Sequence, residues 1–208
     1  MLAVIDYGAG NLHSVLHALH HLGTPNIRVV RHGHELQDAE KIILPGVGAF
    51  GAGMEALHKQ DLVKPLLAAI YAGKPYLGIC LGMQFLFEYS HELGNHKGLG
   101  VIPGRVALFP KHMGLKVPHM GWNQLQIKRS SPLLEGIDEG SYAYFVHSYY
   151  CEPDREKDIL VTVDYGITFT AAVAHNNVYG VQFHPEKSQT TGLQILKNFL
   201  YRIEGANV

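Results

Sequence analysis

This sequence has few cysteines, almost no net charge and no long apolar run, and each of these properties excludes a class of protein. The chain has two cysteines, Cys80 and Cys151, too few for the disulfide framework of a small secreted domain. Its formal net charge is -1, so no strong field attracts nucleic acid or an anionic membrane surface. No apolar run approaches the length of a membrane span, and the carboxylate of Asp6 comes too early for a signal peptide. We therefore expect a cytoplasmic protein with reduced thiols and with neither nucleic acid nor a membrane as partner.

Length and composition predict one globular domain over residues 1–208. The chain is 47% hydrophobic and 17% charged, which is enough to form a sizeable core. Apolar runs alternate with segments of helical periodicity in the first half, which predicts an α/β fold with a mostly parallel central sheet covered by helices on both faces. The second half is richer in glycine, proline and short alternating runs. This texture predicts a smaller antiparallel or mixed sheet there.

The first predicted helix carries histidines on its polar face. Asn11 is a suitable N-cap residue, and apolar residues recur at helical spacing from Leu12 to Leu22. His13 and His17 are four residues apart on the other face, so a metal site is conceivable. No acidic ligand lies nearby in sequence, however, and a solvated polar face needs no ligand. We therefore predict neither a metal nor a cofactor.

A cysteine bracketed by glycines follows the fourth apolar run. The spacing Gly78-x-Cys80-x-Gly82 has the form of a nucleophile elbow, in which a strand, a sharp turn and a helix expose a reactive side chain. We predict that the helix continues through residues 85–88, so that its N-terminus favours the thiolate of Cys80. The competing interpretation is a buried core cysteine. The paired glycines favour the nucleophile.

A glycine-rich loop follows the third apolar run, at Pro45–Gly51. Its Gly-x-Gly-x-x-Gly spacing suggests a dinucleotide site, but the loop follows the third predicted strand instead of the first and lacks a ribose-binding acid at the expected distance. An oxyanion hole fits better, and we favour the amides of Val47 and Leu81 as donors, with Gly48 in the same hole. A tight turn that simply needs glycine remains the alternative.

The segment His184-Pro185-Glu186 follows the last predicted strand. Residues two apart in extended backbone point the same way, so Glu186 can hold one imidazole nitrogen while the other faces Cys80. This arrangement predicts a Cys-His-Glu relay, provided that the two strands are neighbours in the sheet. A structural core histidine is the competing interpretation for His184.

These three segments together resemble the class I, or triad, glutamine amidotransferases, whose members carry an oxyanion strand, a Gly-x-Cys-x-Gly elbow and a terminal His-Pro-Glu in this order. The resemblance extends from Val4 to the C-terminal helix. It implies a flavodoxin-like fold and a glutamine hydrolysis in which Cys80 attacks the side-chain amide, His184 transfers protons and Glu186 orients His184. A glutamyl thioester would form and be hydrolysed, releasing glutamate and ammonia.

Residues 5–12, 44–50, 119–123 and 145–149 resemble one branch of that family, the glutaminases of histidine biosynthesis that deliver ammonia to a (β/α)8-barrel cyclase. This resemblance implies a heterodimer in which the glutaminase alone is nearly inactive, because its oxyanion strand depends on the partner. It also implies two sets of residues. The glutamine pocket would contain Gly48, Gln84, Glu92, Ser148 and Tyr149. The interface or gate would contain Pro118, Met120, Trp122, Asn123, Tyr144 and Lys187.

The residues by themselves leave other functions open. A thiol, a base and two oxyanion donors serve acyl transfer in general, so glutamine enters only through the resemblance. A glutaminase partner of pyridoxal phosphate synthase is the next candidate, although its usual Gly-Gly-Glu-Ser run is missing here. A cysteine hydrolase without a partner and a non-catalytic regulatory module of the same fold are further alternatives. The presence of Cys80, His184 and Glu186 argues against the non-catalytic module.

Overall fold

A computed structural model of the chain describes residues 1–110 and 114–205. The strands, in chain order, are β1 (Leu2–Ile5), β2 (Ile27–Val30), β3 (Lys41–Gly46), β4 (Tyr76–Cys80), β5 (Phe87–Ser90), β6 (His96–Lys97), β7 (Ile102–Leu108), β8 (His119–Gln124), β9 (Gln126–Ile127), β10 (Tyr142–His147), β11 (Tyr149–Pro153), β12 (Ile159–Asp164), β13 (Thr168–His175) and β14 (Val178–Val181).

The α-helices are α1 (Leu12–His21), α2 (Phe50–Lys59), α3 (Val63–Tyr71), α4 (Leu81–Gln84) and α5 (Gln189–Tyr201). Short 3₁₀ turns occupy Gly33–Leu36, Pro132–Leu134, Glu156–Asp158 and Pro185–Lys187. No helix in the described ranges has both the length and the apolar character needed to cross a membrane.

Five neighbouring strands form a parallel unit in the order β2-β1-β3-β4-β14. Strand β4 pairs on one side with β3, where Gly46 lies opposite Cys80, and on the other with β14, where Val181 lies opposite Ile79. Parallel neighbours end at the same edge of a sheet. The segments that follow β3, β4 and β14 therefore meet at one place.

Side chains of this unit alternate between two helical layers. On β1, Val4 belongs to the apolar cluster that contains residues of α1 and α5, whereas Ala3 and Ile5 belong to the cluster of α2 and α3. A strand buried on both faces reads as a continuous apolar run, which is why these segments show no polar alternation. The predicted α/β architecture with helices on both faces is confirmed.

The second half of the chain extends the same sheet with mainly antiparallel strands. The path continues from β14 through β13, β11, β7, β5 and β6, while β12 pairs with β13 and β9 pairs with β12, giving 12 strands within the described residues. A separate antiparallel pair, β8 with β10, places Trp122 opposite Tyr144. The predicted smaller sheet is therefore present. Most second-half strands nevertheless join the large sheet, because the last strand to enter the parallel unit, β14, also pairs with β13.

The predicted extent of the elbow helix is wrong. It ends at Gln84, and β5 begins at Phe87. The carbonyl oxygens of Phe85 and Leu86 accept hydrogen bonds from the N–H groups of Leu99 and Val101 at 2.8 and 2.9 Å. This later segment therefore takes the acceptors that a longer helix would use.

Candidate active site

The elbow places Cys80 at the junction of β4 and α4. Its backbone has φ 53° and ψ −109°, a conformation that costs a non-glycine residue about 1–3 kcal/mol. The flanking glycines are needed for close packing and not for a positive φ. A Cβ added to Gly82 would lie 1.8 Å from the Leu44 carbonyl oxygen, and a Cβ added to Gly78 would lie 2.3 Å from the Gly82 carbonyl oxygen. The turn strain therefore falls on Cys80 itself. Since α4 has only one turn, its dipole supports the thiolate less than the sequence suggests.

A cavity of about 430 Å³ opens beside Cys80. The candidate oxyanion residues Val47, Gly48 and Leu81 line it. So do the remaining candidate glutamine-pocket residues, which are Gln84, Glu92, Ser148 and Tyr149. Segments distant in sequence, following β3, following β4 and joining β10 to β11, thus share one pocket large enough for a small amino acid.

His184 follows β14 and is oriented by Glu186. Its Nδ1 lies 2.8 Å from Glu186 Oε1, and the two side chains are 2% and 0% exposed. The backbone of His184 is fixed as well, since its N–H donates to the Tyr144 oxygen at 2.9 Å. Nε2 is buried and has no hydrogen-bond partner of ordinary geometry among the described residues. It is the nitrogen left for proton transfer.

The electrostatics of His184 favour its protonated form. Burial by itself lowers the pKa of His184, but its interactions with the Cys80 sulfur and with Glu186 outweigh burial and raise the pKa to about 10. An imidazolium beside a thiol favours the thiolate, which is the nucleophilic form of cysteine. The three side chains can therefore act as nucleophile, proton carrier and orienting carboxylate.

Asn11 holds the same carboxylate from the far end of the chain. It lies at the N-cap position of α1, but its side chain makes no capping hydrogen bond, so the predicted capping role is wrong. Its Nδ2 instead donates to Glu186 Oε1 at 3.1 Å, and its Oδ1 accepts from Ser14 Oγ at 2.8 Å. A contact across 175 positions follows no local spacing rule, which is why sequence reasoning missed it.

The glycine-rich loop sits at the rim of the cavity. Gly48 has φ 100°, a conformation that favours glycine. Glu92 is tied to the loop, because its Oε2 accepts from the Phe50 N–H at 2.6 Å. Burial and the nearby Cys80 raise the pKa of the buried Tyr7 hydroxyl, while the Val47 N–H acts in the opposite direction.

Two buried histidines adjoin the pocket, and one of them, His147, lines it. His119 Nδ1 is 3.1 Å from His147 Nε2, and His147 Nδ1 is 2.8 Å from the Tyr149 carbonyl oxygen. Burial lowers the pKa of His119 to about 4 and that of His147 to about 3, so both rings are neutral at pH 7. Gln182, buried next to β14, places its Nε2 3.6 Å from Cys80 Sγ. Sequence reasoning assigned no role to any of these side chains.

The candidate interface residues cluster on the small sheet near the pocket. Met120 and Trp122 are exposed apolar side chains on β8. Trp122 packs edge-on against Tyr144 at a ring distance of 6.0 Å, and Lys187 Nζ lies 5.9 Å from the centre of the same Tyr144 ring. Asn123 is less free to meet a partner, because its Nδ2 donates to the Asp164 oxygen at 2.9 Å. Pro118 lines the cavity itself.

The second cysteine and the histidine-rich helix face show no sign of a separate site. Cys151 is buried, and burial together with the nearby Cys80 raises its pKa well above the ordinary value. Within residues 1–110 and 114–205, no group of three or more His, Cys, Asp or Glu side chains could hold a metal ion. His13 and His17 therefore find no third ligand in that part of the chain.

Comparison with known proteins agrees with this fold. The sequence profile of the glutamine amidotransferase class-I family matches residues 3–203. Two solved structures similar to this chain are titled "Crystal structure of glutamine amidotransferase" (TM-score 0.74, 20% identity, 95% of this chain and 96% of that chain) and "Structure of PurLQS from Thermotoga maritima" (TM-score 0.75, 19% identity, 98% of each chain). The chain belongs to the class-I glutamine amidotransferase family.

Closer relatives define the branch within that family. The chain is 50% identical over 204 residues to a Syntrophotalea carbinolica protein, and the match covers 96% of this chain and 98% of the relative. It is 49% identical over 201 residues to an Aquifex aeolicus protein, and that match covers 97% of this chain and 96% of the relative. Both relatives are named imidazole glycerol phosphate synthase subunit HisH. This chain is a member of the HisH branch.

Proposed function

We propose that the chain hydrolyses glutamine to glutamate and ammonia and supplies the ammonia to the cyclase subunit of an imidazole glycerol phosphate synthase in histidine biosynthesis. The observation that carries the proposal is the cavity where Cys80 meets the candidate glutamine-binding residues beside the His184–Glu186 pair. The glutamine amidotransferase family supports the choice of glutamine as substrate, and the HisH relatives support this synthase over the pyridoxal phosphate synthase alternative. The family assignment of residues 3–203 supports one amidotransferase domain over 1–208.

The proposed reaction has two halves. Cys80 Sγ attacks the side-chain carbonyl carbon of glutamine, and amides of the loop and of Leu81 stabilise the oxyanion, a single such donor contributing about 2.7–4 kcal/mol in acyl transfer. His184 protonates the leaving nitrogen, and ammonia departs as the glutamyl thioester forms. His184 then takes a proton from water, the hydroxide attacks the thioester, and the thiolate leaves with glutamate formed. Glu186 keeps the imidazole oriented throughout.

We propose further that the partner is a (β/α)8-barrel cyclase, bound as a cytoplasmic heterodimer on the face formed by β8, β10 and Lys187. That partner would combine the ammonia with a phosphorylated ribulosyl-formimino carboxamide nucleotide to give imidazole glycerol phosphate and an aminoimidazole carboxamide nucleotide. Exposed Met120 and Trp122 support an apolar contact on this face.

A trapping experiment tests the covalent step. A glutamine-analogue electrophile should modify Cys80, and mass spectrometry of peptides from the treated chain should locate the adduct there. Cys80→Ser should abolish the label, while Cys151→Ser should retain it, because burial raises the pKa of Cys151. Labelling at Cys151 in the wild-type chain would contradict the assignment of the nucleophile.

A kinetic experiment tests the partnership. Glutamate release should be slow for the chain alone and should rise by orders of magnitude when the cyclase subunit and its nucleotide are added. Trp122→Ala should lower the stimulated rate, whereas Tyr71→Ala, a matched exposed aromatic at the end of α3, should leave it unchanged. High basal turnover without stimulation would point instead to a cysteine hydrolase that works by itself.

A further inference from the structure

Gln182 is a buried polar side chain next to the nucleophile, and the reaction described above gives it no role. It follows β14 directly, lies two residues before His184 and is 0% exposed. Its Nε2 is 3.6 Å from Cys80 Sγ, within hydrogen-bond range for sulfur. A buried amide is costly unless its donors and acceptor are satisfied, so this contact needs a physical account.

The orientation of the Gln182 amide is fixed by its neighbours. Gln84 Nε2 lies 3.1 Å from the Tyr149 carbonyl oxygen, which can only accept, so the amino group of Gln84 must point that way. The same amino group lies 3.1 Å from the Gln182 side chain, which must therefore present its oxygen. The amino group of Gln182 is left facing the sulfur. A flipped Gln182 would set two amino groups against each other.

A series of hydrogen bonds continues from the Tyr149 carbonyl, on the side away from Cys80. The Tyr149 oxygen also accepts from His147 Nδ1, which makes His147 Nε2 an acceptor for His119 Nδ1. His119 Nε2 then accepts from Asn123 Nδ2 at 3.3 Å. Each donor and acceptor in this series is determined by the carbonyl of Tyr149. The series therefore holds that carbonyl, and through it Gln84 and Gln182, in one geometry.

We propose that Gln182 is a further catalytic residue, whose side-chain N–H donates a hydrogen bond to the Cys80 sulfur and stabilises the thiolate before attack and when the thioester is cleaved. Gln84 acts as its positioning residue through the Tyr149 carbonyl. Hydrogen bonds to charged acceptors are stronger than those to neutral ones, so the contact favours the thiolate over the thiol. The role in glutamine turnover rests on the proposed function. The effect on the thiolate does not.

Thiol alkylation measures this effect without glutamine or a partner. The midpoint of the pH profile for Cys80 modification by iodoacetamide should lie about one pH unit higher in Gln182→Met and Gln182→Asn, a loss of about tenfold in second-order rate on the acid side of the profile, since each variant removes the donor from the sulfur. The other titratable groups around the sulfur are His184 with Glu186, and the buried Tyr7 and Cys151, all unchanged in these variants. The difference from wild type should close at pH values above the midpoints of all variants, where the sulfur is ionised in each of them.

Controls separate this role from packing. Gln37→Met changes an exposed glutamine far from the pocket and should alkylate at the wild-type rate. Gln182→Asn keeps a polar amide, so it preserves the test if the methionine variant does not fold. Wild-type alkylation in a folded Gln182 variant would overturn the proposal. A rate loss of equal size at every pH would also overturn it, because altered access to the sulfur is independent of ionisation.

Glutamate release distinguishes the two proposals. With cyclase and nucleotide present, Gln182→Asn should lower kcat more than it raises KM, as expected for a group that contacts the reacting atom. If alkylation responds to Gln182 but no variant or wild-type chain hydrolyses glutamine, the proposed function fails and the thiolate contact stands. If stimulated hydrolysis is normal in Gln182→Asn and alkylation is unchanged, only the Gln182 proposal fails.

Discussion

The neutral His147 ring predicts that acid destabilises this protein, and His147 accounts for a separable part of that loss beside its neighbour His119, whose pKa burial also lowers. His147 is a buried residue of the pocket wall and is faced by the Tyr149 carbonyl, by His119 and by His184. Its folded-state pKa is about 3, against an ordinary value of 6.5. Between these values the unfolded chain binds a proton that the folded protein does not. The free energy of unfolding that depends on a neutral His147 is therefore fully present above pH 6.5 and is lost as pH falls toward 3.

The size of the effect follows from the width of the pH interval. At pH 5 the folded ring is still neutral, while the unfolded ring has been titrating over about 1.5 pH units at about 1.36 kcal/mol each, which gives about 2 kcal/mol. Urea denaturation at pH 7, 6 and 5 should therefore show that the wild type loses about 2 kcal/mol more unfolding free energy than His147→Asn over this range. Asparagine cannot titrate, but it can still donate to the Tyr149 oxygen.

An exposed histidine provides the control for this measurement. His58→Asn, on the solvent side of α2, should reproduce the pH dependence of the wild type. Parallel stability curves for wild type and His147→Asn between pH 7 and 5 would refute the argument, since they would mean that His147 takes up its proton in the folded protein as readily as in the unfolded chain.

Three further substitutions test the packing and the orienting contacts. In thermal denaturation, Gly82→Ala should lower the free energy of unfolding by several times the approximately 1 kcal/mol expected for Gly100→Ala. A Cβ at position 82 would lie 1.8 Å from the Leu44 carbonyl oxygen, whereas a Cβ at position 100 would meet open space. Asn198→Leu should lower the free energy of unfolding by about 2–3 kcal/mol, because Asn198 Nδ2 donates hydrogen bonds to the carbonyl oxygens of Leu133 and Glu135. The control Lys197→Leu, at an exposed position, should lower it little. Equal melting temperatures of these two variants would contradict the prediction. Glu186→Gln should slow stimulated glutamate release less than Cys80→Ala, and equal residual rates would contradict their different roles.

Local sequence patterns predicted the elements that carry the candidate site. The glycines around Cys80, the glycine-rich loop after the third apolar run and His184-Pro185-Glu186 each mark the end of a strand. These strands, β4, β3 and β14, are neighbours in the sheet, so their ends meet. A triad of Cys80, His184 and Glu186 needs the last strand to lie beside the elbow strand, but no local feature of the sequence specifies that pairing. Pairing of β14 with β4 is a property of the whole sheet.

Other features depended on contacts that no local pattern encodes. The run at residues 85–88 is apolar enough for either a helix or a strand, and the N–H groups of Leu99 and Val101 decided for the strand. Asn11 fitted a helix cap by residue type, yet its side chain binds Glu186. Gln182 looked like one more polar residue in an apolar strand, and only packing placed its amide on the Cys80 sulfur.

The sequence by itself determined the α/β class and the two-faced burial of the parallel strands, and it supplied the candidates for thiol, base and acid, because periodicity and turn chemistry act between near neighbours in the chain. The tertiary structure decided which of these groups touch. It set the short helix after Cys80, the Asn11–Glu186 contact and the ordered series of hydrogen bonds from Asn123 to Gln182. Those outcomes depend on hydrogen bonds between segments far apart in sequence, whose partners are fixed only once the sheet has formed.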